Sequence, residues 1–276
     1  MATKVGSGNQ YNAITKAFIG DQNIYNPVKK IFVGSNGVYN LAYTSTTPPI
    51  LWNKLESATS TIGANFTEYG TGISYPACKF NNGVTIAAGN EGTLYLLNSS
   101  NYISKDKWTI EFWFKYSGKY VVGGASSSGS NPSIITSGPW LGVGDSYPYL
   151  YFGHRTDGVK TQLNFLPNAT VNYDIRNISI NIAQNDIVFW SFVYDNTLSS
   201  PNRLKLYYYN YTTNASGIYT ENNSTGTFNN VWATTNARLV LGRVQGSFST
   251  YGMYGIYDNI KIYDYAKTDF SDRNTE

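Results

Sequence analysis

The chain has 276 residues, of which 13% are charged, and it carries a formal net charge of +3. Its one cysteine excludes an intramolecular disulfide, and together with its one histidine it excludes the usual zinc sites, which combine several cysteine and histidine ligands. The small positive charge and the absence of a long apolar run exclude a nucleic-acid footprint and a membrane-spanning helix, so we expect neither nucleic acid nor membrane as a partner.

The N-terminus and the composition favour a cytoplasmic β protein. Residues 1–8 lack the apolar stretch of a secretory signal, so we expect the protein to be made in the cytoplasm of a host cell. Glycine (26 residues) and tyrosine (25 residues) are abundant, and long runs of helix-favouring residues are missing. This pattern is typical of β structure.

The first fifty residues contain an internal repeat. Residues 16–26 align with residues 30–40, with lysine, phenylalanine, glycine, tyrosine and asparagine at matching positions. Each copy predicts a short strand, a polar turn and a second short strand, and Asn36 and Gly37 supply the positive-φ residues of a tight hairpin. Two such hairpins bury little apolar surface alone, so the repeat must pack on something.

The residues leave two alternatives for what the hairpins contact. One is an ordinary β extension of the main domain. The other is a module for attachment or oligomerisation, which adds strand edges to a neighbour or packs apolar side chains against it. The side chains expected to make those contacts are Phe18, Ile19, Tyr25, Phe32, Val33 and Tyr39.

Residues 28–39, with the sequence Val-Lys-Lys-Ile-Phe-Val-Gly-Ser-Asn-Gly-Val-Tyr, resemble short hairpin repeats that are common in tail and other structural proteins of bacteriophages. The resemblance implies a virion component. Its N-terminal unit is then expected to contact other virion proteins and to form a homo-oligomer.

A linker signal follows the repeat at residues 43–49, which are rich in threonine and end in two prolines. Proline stiffens the chain and cannot donate a ladder hydrogen bond. We therefore predict two domains, residues 1–47 and residues 48–276.

The second domain reads as many short strands joined by polar loops. Residues 108–115 alternate and predict a half-buried strand with Trp108, Ile110, Phe112 and Phe114 on one face. Residues 187–194 are apolar on both faces and predict a central strand covered on both sides. Residues 203–209 and 238–243 alternate again. With no βαβ spacing, the fold class is all-β, an antiparallel two-sheet jelly-roll sandwich.

Four segments, residues 92–114, 187–209, 238–243 and 255–266, resemble the strand sequence of laminin-G-like, concanavalin A-like jelly rolls. The closing Gly-Ile-Tyr-Asp-Asn-Ile-Lys-Ile-Tyr-Asp-Tyr-Ala is the most specific part. The family implies a sandwich that often binds carbohydrate or protein, sometimes through calcium. The long turn at residues 195–202 and the missing histidine beside Trp190 depart from the family pattern, so no ligand site is carried over.

The sequence contains no strong pattern of catalytic residues. Retaining glycoside hydrolases need two carboxyl groups about 5 Å apart, and Glu111 is alone on its strand with no Glu-X-Asp-X-X-Glu array. Glu111 and Trp113 are candidates for a sugar-stacking face, against a plain solvent-facing or loop-covered pair. His154 lacks a nucleophile elbow and is expected to be a surface histidine. We therefore predict that the protein is not an enzyme.

Two further patterns carry a site hypothesis. Strand alternation places Asp258 on one face with Ile256, Ile260 and Ile262, so this carboxylate must be satisfied by calcium, by an arginine or by backbone N–H groups. Calcium is thus a possible ligand, and no other cofactor is expected. In residues 207–211, Tyr-Tyr-Tyr-Asn-Tyr, alternation sends the tyrosines to both faces, and core plus surface is a simpler account than a sugar site.

The sequence therefore predicts a non-enzymatic bacteriophage virion protein, such as a capsid decoration, head-fibre or tail-associated adhesin, located in the virion. Its N-terminal unit anchors it and the jelly roll is displayed, with a host surface glycan as one expected partner. The alternative is a soluble carbohydrate-binding module or a relative of glycoside hydrolases, for which Glu111→Gln tests activity.

Overall fold

The computed structural model describes residues 4–5, 12–13, 18–21, 24–27, 30–35, 38–44, 47–86, 93–103, 106–116, 133–138, 149–154, 160–168, 171–225, 238–241 and 255–274. The chain divides into two compact units, Met1–Pro48 and Pro49–Glu276. Within the described ranges, no helix is long and apolar enough to cross a membrane.

The first unit contains antiparallel two-stranded sheets. The pairs are β1 (Lys4–Val5) with β2 (Asn12–Ala13), β3 (Phe18–Asp21) with β4 (Ile24–Pro27), and β5 (Lys30–Ser35) with β6 (Val38–Thr44). The last two pairs are the hairpins that the repeat predicts, because Ile19 lies opposite Asn26 and Val33 opposite Asn40, at equivalent positions of the two copies.

Of the predicted attachment unit, the structure describes only this backbone pairing. Asn36 and Gly37 of the predicted turn lie outside the described residues. So do the side chains of all six residues predicted to make contacts, which are Phe18, Ile19, Tyr25, Phe32, Val33 and Tyr39. An attachment role for the first unit therefore stays a prediction.

The second unit is an antiparallel two-sheet β-sandwich, which confirms the predicted fold class. Sheet I contains, in spatial order, β19 (Ser216–Thr220), β18 (Leu204–Asn210), β17 (Ile187–Asp195), β12 (Lys107–Tyr116), β22 (Gly255–Tyr263), β10 (Val84–Ile86) and β9 (Ile73–Ser74), and β7 (Leu51–Asn53) also pairs with β22. Sheet II contains β20 (Asn223–Thr225), β16 (Val171–Ser179), β15 (Lys160–Asn168), β14 (Tyr149–His154), β13 (Ser133–Gly138), β21 (Arg238–Leu241), β11 (Thr93–Leu97) and β8 (Thr67–Tyr69). Short 3-10 helices lie at Ser99–Asn101 and Ser271–Asn274.

Aromatic side chains from the inner faces of the two sheets form the core. Phe152 of sheet II lies 4.8 Å from Trp190 and 6.4 Å from Phe112 of sheet I, measured between ring centroids. Trp108 packs edge-on against Phe165 at 5.0 Å. Such edge-to-face pairs add about 0.5–1.5 kcal/mol each to the stabilisation from burial alone.

Strands β12 and β17 lie at the middle of sheet I and are covered on both faces. This confirms the prediction for β17, which is buried from Val188 to Asp195. For β12 the prediction of a half-buried strand is wrong, because Thr109, Glu111 and Trp113 on its second face are also buried. The chain after β22 supplies the cover that the local pattern could not indicate.

A bulge in β22 corrects the predicted face of Asp258. Glu111 lies opposite Lys261 whereas Trp113 lies opposite Asp258, so β22 has one residue more than β12 between these pairs. The extra residue is Asn259, whose φ of 53° lies in the left-handed region that asparagine tolerates better than most residues. Asp258 therefore shares the outer face of sheet I with Trp113 and does not share the face of Ile260 and Ile262.

Residues 264–274, which we call the C-terminal segment, run over the outer face of sheet I. The Oγ1 of Thr109 donates to the Tyr265 carbonyl at 2.7 Å and accepts from the Lys267 amide at 2.9 Å. The indole Nε1 of Trp113 donates to the Arg273 carbonyl at 3.1 Å. The segment is thus fixed to β12 at both ends.

Candidate functional site

The tyrosines of β18 alternate between the two faces of sheet I, as predicted. Tyr208 points inward, where its ring lies 5.9 Å from Trp190 and is packed against the core. Tyr207 and Tyr209 point outward, and Tyr207 packs against Phe270 of the C-terminal segment with ring centroids 4.5 Å apart. The outward rings of Tyr207 and Tyr209 thus form one aromatic wall, and Phe270 of the C-terminal segment forms a second.

Between these two walls lies a cleft of about 430 Å³, which we call the tyrosine cleft. Strands β17, β18 and β19 form its floor and one side, and the C-terminal segment forms the other side. Its lining is predominantly aromatic, with few polar groups. The lining residues are Phe189, Tyr207, Tyr208, Tyr209, Ser216, Gly217, Ile218, Phe270 and Arg273.

Arg273 gives the tyrosine cleft its charged group. Its guanidinium lies over the ring of Tyr209, 4.3 Å from the ring centroid, where the negative face of the ring attracts a cation. One nitrogen, Nη1, donates to the Phe270 carbonyl at 2.9 Å. This bond closes the turn of the C-terminal segment, so Phe270 and Arg273 enter the cleft from one rigid element.

The Tyr207 hydroxyl remains protonated at neutral pH. Burial raises the pKa of Tyr207 above its ordinary value, so its hydroxyl is a donor as well as an acceptor. The Tyr209 hydroxyl donates to the Asn214 side chain at 2.8 Å, which fixes the orientation of the ring. A few oriented hydroxyl groups on aromatic walls are typical of small-molecule sites, in which they determine specificity.

A second tyrosine and cation pair flanks the cleft just after the end of β18. Tyr211 follows Tyr209 on the outer face and is 46% exposed. The Lys79 ammonium lies 3.6 Å from the centroid of the Tyr211 ring and 5.3 Å from that of Trp113. Trp113 also contacts Phe189 of the cleft floor at 5.4 Å, so the aromatic surface is continuous from Lys79 to Phe270.

A buried ionic cluster anchors the C-terminal segment beside the cleft. The Lys267 ammonium lies 2.9 Å from Glu111 Oε1 and 2.8 Å from Asp272 Oδ1, and 3.5 Å from the Tyr263 hydroxyl. Burial raises the pKa of Glu111 to about 7 despite the opposing effect of Lys267. Because Lys267 and Asp272 bracket Phe270 in the chain, this cluster positions the aromatic wall of the cleft.

The sugar-stacking face predicted from Glu111 and Trp113 is not formed by those two side chains. Trp113 is 1% exposed and Glu111 is 3% exposed, because the C-terminal segment lies over both. Glu111 and Trp113 instead match the alternative of a pair that is covered by a loop. They act on the cleft indirectly, Trp113 through the Arg273 carbonyl and Glu111 through Lys267.

The surroundings of Asp258 do not fit a calcium site. Asp258 is fully buried, and its Oδ2 accepts from the Phe80 amide at 2.7 Å, which is one of the backbone partners expected for it. Calcium requires several oxygen ligands, usually including two or more carboxylates. Within the described ranges, no three His, Cys, Asp or Glu side chains lie close enough together to hold a metal ion.

Two other sequence predictions are not decided by these contacts. The side chain of His154 lies outside the described residues. Arg238 of β21 lies over the ring of Tyr95, 4.6 Å from its centroid. An arginine partner for Asp258 stays a prediction.

Sequence reasoning missed the C-terminal half of the cleft. Phe270 and Arg273 belong to Thr268-Asp269-Phe270-Ser271-Asp272-Arg273, a polar stretch that predicts a loop. One signal was available, because a single aromatic residue in such a stretch indicates an anchor on an apolar surface. Which surface it contacts follows only from the fold.

No protein-family model and no curated protein matches the chain. Among solved structures, the chain is similar to domain 4 of AbnA, a GH43 extracellular arabinanase from Geobacillus stearothermophilus in complex with arabinotriose. That match has 15% identity and a TM-score of 0.52 over 80% of this chain and 94% of the other. The PL-14 alginate lyase from Aplysia kurodai matches with 14% identity and a TM-score of 0.43, over 71% of this chain and 89% of the lyase.

A sialidase from Trypanosoma rangeli matches with 10% identity and a TM-score of 0.48, over 85% of this chain. The chain spans 33% of that sialidase. At these identities the arabinanase domain shows a shared β-sandwich fold. These matches show no link to a virion protein or to a laminin-G domain, so the finer resemblances stay predictions.

The fold contradicts the prediction that the protein is not an enzyme. The sandwich is shared with a domain of a glycoside hydrolase, so the fold is one that carbohydrate-active enzymes contain. The prediction rested on the lack of paired carboxylates on one strand, and that ground is insufficient, because a fold assembles side chains from separate strands and loops.

Proposed function

We propose that the sandwich unit, Pro49–Glu276, binds carbohydrate, and that the tyrosine cleft is the binding site. The observation that carries the proposal is the cleft itself, in which Tyr207, Tyr209, Phe189 and Phe270 surround a space of about 430 Å³ with one arginine at its side. This volume lies within the range of about 300–1,000 Å³ that is usual for small-molecule sites.

The chemistry of the lining fits a sugar. A pyranose or furanose ring has an apolar face of C–H groups, which packs on aromatic rings, and an edge of hydroxyl groups, which needs hydrogen-bond partners. Tyrosine offers both, a rigid apolar body and a polar tip. Here the tyrosine hydroxyls, Ser216 and the Arg273 guanidinium supply the polar contacts.

The comparison with the arabinanase domain supports the same proposal. That domain was solved in complex with arabinotriose, and this chain covers 94% of it. The shared fold gives no residue-level correspondence at 15% identity. It supports a saccharide as the class of ligand, while the residues that bind it are assigned from the cleft.

A Tyr207→Ala variant is expected to weaken sugar binding at least tenfold, because truncating a central aromatic contact usually costs more than about 1 kcal/mol of binding energy. A glycan array of the full chain identifies the sugar, and isothermal titration calorimetry then measures the affinity. The matched control is Tyr69→Ala on β8 of sheet II, where the tyrosine is 43% exposed. Equal affinity of both variants and the wild type would refute the cleft as the site.

For the first unit, we propose attachment of the protein to a virion, through contacts with other virion proteins or with a second copy of this chain. The supporting observation is that the repeat forms separate two-stranded sheets, β3 with β4 and β5 with β6. An isolated two-stranded hairpin is marginally stable in water. Such sheets gain stability when a partner extends them or covers their apolar side chains.

Deleting residues 1–45 is expected to abolish incorporation into particles and to leave sugar binding unchanged, because the tyrosine cleft is built entirely from residues after Pro48. Immunoblotting of purified particles measures incorporation. The control is full-length Tyr207→Ala, which is expected to be incorporated normally and to lose sugar binding. Normal incorporation of the deletion variant would contradict the attachment role.

A further inference from the structure

The residues that line the tyrosine cleft include a positive charge and no negative charge. Among the residues that line it, Arg273 alone carries a formal charge. Within the described part of the chain, Arg273 forms no ion pair, and its guanidinium contacts the Phe270 carbonyl and the face of Tyr209. Its Nε is buried and has no hydrogen-bond partner among those residues. A guanidinium in this state keeps most of its N–H groups for an acceptor that comes from outside.

Four described carboxylates on the outer face of sheet I and in the C-terminal segment already have partners. Glu111 and Asp272 share the Lys267 ammonium, and Asp258 accepts from the Phe80 amide. Asp269 accepts from the Ser271 amide at 2.9 Å, at the start of the 3-10 helix. None of these contacts involves Arg273, so these four carboxylates do not pair with its guanidinium.

A second cation, Lys79, lies over Trp113, a ring that contacts the cleft floor. Lys79 contacts the rings of Phe80, Trp113 and Tyr211, and it forms no ion pair within the described residues. Trp113 contacts Lys79 with its ring and donates from its Nε1 to the backbone carbonyl of Arg273. Aromatic surroundings of low polarity strengthen the attraction of both cations for an anion.

From these contacts we infer that the preferred ligand of the tyrosine cleft is an acidic saccharide, one that carries a carboxylate on its sugar ring, and that Arg273 binds this carboxylate. The inference rests on the proposed function. A guanidinium matches a carboxylate with two parallel N–H groups, and the stacked tyrosine holds its plane fixed. A neutral sugar would leave the same N–H groups without a charged acceptor.

The test uses the full chain and pairs of oligosaccharides of equal length and linkage that differ only in a ring carboxylate. Suitable pairs are oligogalacturonide with galacto-oligosaccharide, oligoglucuronide with gluco-oligosaccharide, and oligomannuronide with manno-oligosaccharide. Calorimetry at pH 7 and low salt is expected to show binding of the acidic member of one pair at least tenfold tighter than its neutral partner, because hydrogen bonds to charged groups are the strong ones.

Two variants test whether Arg273 causes the preference for the acidic oligosaccharide. Arg273→Gln is expected to bring the two members of the pair to equal affinity. Lys54→Gln removes one positive charge beside β7, which lies four strands away from β18 in sheet I, and it is expected to keep the preference. A preference for the acidic member that survives Arg273→Gln would overturn the assignment to Arg273.

The remaining outcomes separate this inference from the proposed function. Equal binding of both members of a pair, lost in Tyr207→Ala, would overturn the acidic preference and keep the cleft as a sugar site. Binding of no member of any pair, together with no binding on the glycan array, would overturn both.

Discussion

A Lys267→Met variant is expected to have a free energy of unfolding about 3–5 kcal/mol lower than that of the wild-type chain. The Lys267 ammonium is buried between Glu111 and Asp272, and the variant leaves Glu111 buried without its cation. An uncompensated buried charge costs much more than the pair itself contributes. Urea unfolding at pH 7.5, followed by tryptophan fluorescence, measures the change in the sandwich, because all six tryptophans lie after residue 48.

Two controls separate this effect from the loss of any surface charge. Lys107 pairs with Asp195 at 3.1 Å, but its side chain is 40% exposed, so Lys107→Met is expected to cost about 1 kcal/mol or less. The double variant Lys267→Met with Glu111→Gln removes both buried charges and is expected to recover much of the loss. If Lys267→Met costs no more than Lys107→Met, the ionic cluster does not anchor the C-terminal segment.

The stability of the sandwich is expected to fall as the pH rises from about 4.5 to above 7. Burial raises the folded-state pKa of Glu111 from 4.5 to about 7, so the folded chain holds a proton that the unfolded chain releases in this range. The contribution is therefore fully present below pH 4.5 and is lost as the pH passes 7. A tenfold change in proton affinity corresponds to about 1.4 kcal/mol, which gives a fall of at most about 3 kcal/mol.

Glu111→Gln isolates this titration. Glutamine has no proton to release, so the unfolding free energy of the variant, measured in urea at pH 5 and pH 8, is expected to change less with pH than that of the wild type. Glu56 is exposed, and Glu56→Gln is expected to follow the wild-type profile. A Glu111→Gln profile parallel to the wild type would show that Glu111 does not hold the proton.

Local alternation was sufficient to predict the fold class and the faces of several strands. The doubly apolar pattern of residues 187–194 predicts the covered central strand that β17 is, and the alternation of residues 203–209 places Tyr207 and Tyr208 on opposite faces, as the structure has them. These features depend on the two-residue period of a single strand, which is visible in the sequence itself.

The wrong predictions have physical causes that the two-residue period of a strand does not show. The bulge at Asn259 adds one residue, and a shift of one residue moves a side chain to the other face, which is why Asp258 was assigned to the isoleucines. The burial of Trp113 depends on a segment 160 residues away along the chain. Lys267 and Glu111 are separated by 156 residues, and no local pattern links them.

The cleft was missed for the same reason. Alternation places Tyr207 and Tyr209 together on one face of the strand, and a shared face by itself gives no reason to assign a function. The site exists only because Phe270 and Arg273 lie opposite them. Those two residues come from a segment whose sequence predicts nothing more than a loop.

The central claim is that a saccharide occupies the tyrosine cleft, and chemical-shift mapping tests it most directly. The full chain, labelled with ¹³C in the aromatic rings of tyrosine and phenylalanine, is titrated with the sugar that a glycan array identifies. We expect saturable shifts at Tyr207, Tyr209 and Phe270, with Tyr69 on sheet II unchanged. Shifts confined to residues outside the cleft, with those three rings unchanged at saturation, would contradict the claim.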